Sequence, residues 1–362
     1  MTHVLDLGGY SDEEVEEESK ADLPWIQKYR PEKLSDVISH KQIMNTLQKF
    51  IEKNELPHLL FYGPSGTGKT STIISCAKEL YHDYYKFMVL ELNTSDNRGI
   101  ETVRTQIKSF VNSQTESFLP KDHQRKFKLV ILDEIDAMTL DAQAILRQII
   151  ESNSRSTRFC LICNYLNKIN LALQSRCALF RFIPLKPEDM EGKVTEICVE
   201  EGLDYNEKGI KALVKVARGD LRKAINILQS TSLTYEGKIT ADKIYACSGY
   251  CHPKDSEIVY ELLMNLLKKK QTIAVTCQKI SELIFEKNIS LLHLLNDLKN
   301  FVLDQEGDDD PSVASSSGLS LRDDYKINVI DKLATLETYI GIGVEQKSLI
   351  MYLASIFVLE QK

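Results

Sequence analysis

Four short apolar runs recur in the first half of the chain: His58–Tyr62, Met88–Leu92, Leu129–Leu132 and Phe159–Cys163. Runs this short, apolar on both faces, predict strands buried within a parallel sheet. Helical spacing fills the gaps between them, over Thr70–Leu80 and Asp141–Glu151. That alternation is the βαβ rhythm of an α/β domain. From Pro187 onward the pattern turns wholly helical. Asp220 is placed to cap a helix whose Leu221, Ala224, Ile225 and Leu228 fall at i, i+3, i+4 and i+7. Helical spacing returns after Tyr250. No internal repeat is visible, and no apolar run approaches the roughly 18 residues of a membrane span.

Composition changes this picture in two places. A chain of 362 residues holds two or three domains at about 100–200 residues each. Its net charge of −7 is unevenly spread. Residues 1–20 carry −6 and residues 304–310 carry −5, which leaves the remainder at +4. The expected organisation is a disordered acidic tail at 1–20, an α/β domain at 21–185, helices at 186–248, and helices at 249–362 with a flexible acidic loop at 304–318. The acidity lies in those two segments, so it does not argue against nucleic-acid binding by the folded body. The N-terminus, polar and acidic, lacks the basic and apolar regions of a secretory signal, and a reducing compartment is expected. Cys160 and Cys163 have metal or redox spacing but sit in an apolar run, which reads as core thiols. Cys247, Cys251 and His252 lack a second ligand pair.

Candidate chemistry gathers at the ends of the predicted strands. Gly63-Pro64-Ser65-Gly66-Thr67-Gly68-Lys69-Thr70 matches G-x-x-x-x-G-K-[ST] and lies between a strand and a helix. In such a loop, backbone N–H groups cradle phosphates and the helix N-terminus adds a favourable dipole. Lys69 reaches the β- and γ-phosphates, and the Thr70 hydroxyl ligates Mg²⁺. A second strand ends in Asp133-Glu134. Asp133 is suited to hold Mg²⁺ and Glu134 to orient and deprotonate the attacking water. Together the two motifs imply a nucleoside triphosphatase. Asn164 follows a strand and reads as a turn residue or as an amide on the γ-phosphate or the water. Arg176, in Ser175-Arg176-Cys177, reads as an exposed charge or as an arginine finger for a neighbour's nucleotide. Arg222, in the first turn of its helix, is poised to contact phosphate.

These residues, with Lys28-Tyr29-Arg30-Pro31, Glu91–Ile100 and Phe159–Tyr165, give the chain a pattern that resembles the AAA+ clamp loaders, and closely the small subunits of replication factor C. Ile38-Ser39-His40 and Leu161-Ile162-Cys163 are most similar to the branch numbered five in animals and three in budding yeast. The resemblance implies a P-loop parallel-sheet ATPase core at 21–185, an all-α lid at 186–248 and an all-α collar at 249–362 that joins other subunits. It implies ATP and Mg²⁺ as cofactors, and Tyr29, Arg30, Pro31, Val37 and Ile38 around the adenine. Gly63 belongs to the phosphate loop, and Gly66, Thr67, Gly68, Lys69, Thr70 and Ser71 wrap the phosphates. Asn164 matches sensor 1, Arg222 matches sensor 2, and Arg176 acts in trans. Arg98, Arg104 and Arg155 match positions facing the phosphate backbone of primer–template DNA. The implied partners are a large subunit and three other small subunits, the ring-shaped sliding clamp PCNA and primed DNA, with no membrane. The implied location is the nucleus.

Several positions depart from the family pattern. Ser65 stands where Pro is usual and Thr94 where Ala is usual, and neither is expected to supply a required side chain. Asn97 replaces an acid, Ile135 an alanine, Gln148 an arginine and Ala144 an asparagine. The longer segment from Asn112 to Arg125 contains Phe118-Leu119-Pro120, either a clamp contact or a surface loop. Two rival readings remain at the level of sequence: another DNA-associated AAA+ ATPase, or a scaffold that binds ATP without hydrolysing it.

Overall fold

The computed structural model describes residues 23–94, 100–113, 127–287, 289–303 and 323–359. The acidic tail, the acidic loop, Arg98 and Phe118-Leu119-Pro120 lie outside the described residues, as does the side chain of Arg104. The chain divides into two compact units, the first ending at Leu233 and the second beginning at Thr234.

The first unit is built on a five-stranded, all-parallel sheet: β1 (Leu59–Tyr62), β2 (Val89–Asn93), β3 (Lys128–Asp133), β4 (Thr157–Cys163) and β5 (Ala178–Arg181), in the spatial order β2-β3-β4-β1-β5. Helices α1 (Lys41–Lys53), α2 (Lys69–Tyr81), α3 (Ile100–Asn112) and α4 (Leu140–Asn153) accompany it. The central strands, β1, β3 and β4, alternate their side chains between two covered faces. Leu59, Phe61, Leu129, Ile131, Cys160 and Ile162 pack with Leu47 of α1 and Ile73, Cys76 and Leu80 of α2. Leu60, Val130, Leu132, Phe159, Leu161 and Cys163 pack with Ile107 of α3 and Leu146, Ile149 and Ile150 of α4. Each buried Leu, Ile or Phe contributes roughly 1.5–3 kcal/mol. Burial on both faces explains why the central strands read as continuous apolar runs.

β5 has no counterpart in the strands expected from sequence. Among the described residues it pairs only with β1, and its residues alternate between half-buried and exposed. Its apolar run, Cys177 to Phe180, is only four residues long and is closed by Arg181. Three helices complete the unit: α5 (Pro187–Glu200), α6 (Glu207–Ala217) and α7 (Leu221–Thr234). Two-residue strand segments, Asp204–Tyr205 and Lys238–Ile239, interrupt the all-helical run expected after Pro187. They are too short to leave a periodic signal.

The second unit contains α8 (Ala241–Ser248), α9 (Pro253–Leu267), α10 (Ile273–Lys287), α11 (Leu291–Leu303), α12 (Asp323–Ile342) and α13 (Gln346–Leu359). In α11 the buried residues Leu291, Leu294, Leu295, Leu298 and Val302 form one stripe. They join Val259, Leu263, Ile280, Ile284, Leu333, Leu336, Leu353 and Phe357 in a single core. α13 packs against α9, α10 and α12, which accounts for its nearly uninterrupted apolar sequence. Among the described residues, no helix is long and apolar enough to cross a membrane.

Candidate active site

The carboxyl ends of β1, β2, β3 and β4 bring Gly63, Asn93, Asp133 and Asn164 to one edge of the sheet. Ligands of open parallel sheets bind outside this edge. Here the loop from Gly63 to Gly68 leads into α2. Gly63 has φ +145°, and a Cβ there would lie 2.0 Å from the carbonyl oxygen of Phe182. Gly66 has φ +65°, and its Cβ would fall 1.8 Å from Oδ1 of Asp220. Both positions therefore require glycine.

A cavity of about 420 Å³ opens over this loop. Of the residues expected at the site, Tyr29, Arg30, Pro31, Val37, Ile38, Gly66, Thr67, Gly68, Lys69, Thr70, Ser71, Asp133, Glu134, Asn164 and Arg222 all line it. The Lys69 ammonium is buried and donates to the carbonyls of Gly63 (2.8 Å) and Pro64 (2.7 Å) and to Oδ1 of Asn164 (3.0 Å). Burial lowers its pKa, and Asp133 opposes that shift. The Thr70 hydroxyl donates to Oδ2 of Asp133 at 2.6 Å, and the other carboxylate oxygen, Oδ1, accepts the Glu134 N–H at 2.9 Å. The Thr70 hydroxyl and the Asp133 carboxylate are hard oxygen donors of the kind a divalent cation takes, two of the roughly six it needs.

Asp220 caps α7 by accepting the Lys223 N–H at 2.9 Å, as its sequence position implies. Its other oxygen accepts the Ser65 hydroxyl at 3.0 Å, and the Leu221 N–H donates to the Gly66 carbonyl at 3.2 Å. These contacts dock the start of α7 against the phosphate loop and carry Arg222 to the cavity. Ser65, expected to be inert, thus has a partner. So has Thr94, whose hydroxyl shares its one proton between the carbonyls of Asp133 (3.0 Å) and Glu134 (2.8 Å).

Other expected residues lie elsewhere. Arg176 is not among the residues lining the cavity. Its guanidinium pairs with Glu151 of α4 at 2.5 Å and donates to the Ala172 carbonyl at 2.6 Å. Arg155 is exposed, on the turn between α4 and β4. The thiols of Cys160 and Cys163 are buried, and burial pushes the Cys163 thiol up to about 12. That environment keeps them protonated, as core thiols are.

Sequence reasoning missed Ile26, Gln27, Ser39, Ser65, Asn93, Leu185, Leu221 and Ile225, which also line the cavity. For Asn93 a signal existed: it directly follows the strand expected over Met88–Leu92, and it lies in register with Asp133. Leu221 and Ile225 had the spacing of a core face, and here that face closes the pocket. Nothing in the local sequence marks Ile26 or Leu185.

Comparison with known proteins places this geometry in context. The model of the ATPase family associated with various cellular activities (AAA) matches residues 59–185. A putative replication factor C small subunit of Acanthamoeba polyphaga mimivirus is 46% identical over 342 residues, covering 94% of this chain and 95% of that protein. Replication factor C subunit 5 of Homo sapiens is 45% identical, covering 90% of this chain and 88% of its own. Replication factor C subunit 3 of Saccharomyces cerevisiae is 39% identical, covering 91% of both. A solved structure of a mutant RuvB from Thermotoga maritima shares the fold, with a TM-score of 0.50 at 14% identity, covering 74% of this chain and 91% of that one.

Proposed function

This chain belongs to the replication factor C small subunits, a family of AAA ATPases, and from that premise we propose that it is one subunit of a heteropentameric loader. In this reading the assembly opens the sliding clamp PCNA with ATP and closes it on primer–template DNA in the nucleus. The observation that carries the reading is the cavity in which a complete phosphate loop, Asp133, Glu134, Asn164 and Arg222 converge.

Each residue then has a task. Tyr29, Arg30, Pro31, Val37 and Ile38 enclose the adenine, and the loop from Gly63 to Ser71 binds the phosphates through its N–H groups. Lys69 trades its carbonyl partners for phosphate oxygens, whose charge favours the ammonium that burial disfavours. Thr70 and Asp133 hold magnesium, which when bound neutralises charge on the phosphate oxygens. Glu134 orients the attacking water and takes its proton. Asn164 holds the γ-phosphate or the water from the other side, and Arg222 stabilises charge from α7. Arg176 leaves Glu151 to serve the adjacent subunit's ATP as a finger. Arg98, Arg104 and Arg155 follow the DNA backbone without reading sequence.

The test is the ATPase rate of the assembly purified through a tag on this chain, measured alone, with primed DNA, and with primed DNA plus clamp. Strong stimulation by junction and clamp together is the expected result. A rate indifferent to both points to another AAA+ machine. Arg176→Ala is expected to slow the neighbour's hydrolysis by about 10³-fold while ATP affinity at this chain's own site holds. Loss of that affinity would contradict action in trans.

A further inference from the structure

The Thr94 hydroxyl stands outside the cavity lining, yet it touches the backbone of both acidic residues. Glu134 has φ 58° and ψ 36°, a left-handed conformation unusual for a residue with a side chain. In an extended strand, successive carbonyls point to opposite sides. Here the carbonyls of Asp133 and Glu134 converge on one hydroxyl, at 3.0 and 2.8 Å. The left-handed turn at Glu134 is what brings them together. The Thr94 N–H adds a bond to the Asp133 carbonyl at 3.0 Å, and the Glu134 carbonyl also accepts the Ala137 N–H at 2.9 Å. Asp133 is further held by its sheet pairing to Asn93 and by Thr70. Glu134 lies past the strand end, and the Thr94 hydroxyl ties its carbonyl back to the end of β2.

We propose that Thr94 is a positioning residue for the Glu134 carboxylate, acting through the backbone, and that its hydroxyl sets the hydrolytic rate of this site without contributing to nucleotide binding. The inference rests on the hydrolytic role of Glu134 given above. Without the donor, the turn relaxes toward extended backbone, where many more residues are comfortable. Because side chains alternate along extended backbone, that relaxation swings the carboxylate away from the cavity.

The test uses the assembled complex purified through this chain, in wild-type, T94V, T94S, E134Q and T94V/E134Q forms. The share of single-turnover ATP hydrolysis lost in E134Q is this chain's own. T94V matches threonine in shape and lacks the donor. It is expected to lower that share about fivefold to tenfold, the worth of one buried hydrogen bond. ATP affinity is expected to stay within twofold, T94S to recover at least half of the share, and the double variant to match E134Q. Full hydrolysis in T94V, a T94S as slow as T94V, or affinity falling in step with rate overturns the inference. An E134Q assembly as fast as wild type overturns the hydrolytic reading itself, a result distinct from the other three.

Discussion

Two buried lysines sit at opposite edges of the same sheet. Lys69, at the carboxyl edge, bonds to the carbonyls of a glycine-rich loop and to Asn164 beside an open cavity. Lys128, at the start of β3, is 2% exposed and caps α3 through the Phe110 carbonyl (2.9 Å), the Ser113 hydroxyl (2.8 Å) and the Ser113 carbonyl. Its ammonium also lies 5.2 Å from the Phe110 ring. Around it the amino edge is locked in the same way. Arg158 donates to the carbonyls of Leu56 (2.5 Å) and Ser154, and it covers the Phe127 ring at 5.1 Å. His58 accepts the Phe159 N–H on Nδ1 at 3.2 Å. The same side-chain chemistry serves as machinery where partners can be exchanged for a ligand, and as a fastener where they cannot.

Substitution can break that contrast, and the effects should differ in kind. The largest is expected for Lys69→Ala: ATP affinity should fall at least about 100-fold as charge-assisted bonds to phosphate are lost. Urea unfolding without nucleotide should shift far less. Equilibrium binding of a fluorescent ATP analogue measures it, and retained affinity would sink the phosphate-loop role. Lys128→Met should show the reverse. Orphaned carbonyls at the end of α3 should cost about 2–3 kcal/mol of stability, read by denaturant midpoint, with ATP affinity within about twofold. Arg158→Lys should cost about 1 kcal/mol, because an ammonium cannot reproduce the planar fork over Phe127.

The smallest effect concerns pH. Burial, assisted by Arg158, holds His58 down to about 4 from an ordinary value of 6.5. The unfolded chain therefore binds the proton first, and the stability this group contributes is lost as pH falls from 6.5 toward 4. Between pH 7.5 and 5.5 the loss through His58 should be about 1 kcal/mol. His58→Gln should flatten that part of the profile. An unchanged slope would show that His58 takes up its proton alike in the folded and unfolded chain.

The legible part of this protein was local. The three central strands, β3, β4 and β1, were visible because burial on both faces forces continuous apolar residues, and the edge strand β2 through the short apolar run that leads into it. The phosphate loop was visible because its glycines and its lysine are adjacent in sequence. β5 was hidden by its brevity, a short apolar run closed by Arg181, and Lys128 by its place at the head of an apolar strand. Ser65 and Thr94 carry no local signal, because the partner of each lies far along the chain. Asp220 lies 155 positions from Ser65, and Glu134 lies 40 from Thr94.

The sequence by itself determined the α/β class of the first unit, the helical character of the second, the phosphate loop, the acidic pair and the family resemblance, because periodicity and short motifs are properties of neighbouring residues. Only the tertiary structure decided which lysine faces a cavity, how Asp220 meets Gly66, where Arg176 rests, and why Glu134 turns left-handed. Those depend on contacts between distant segments, which spacing along the chain does not encode.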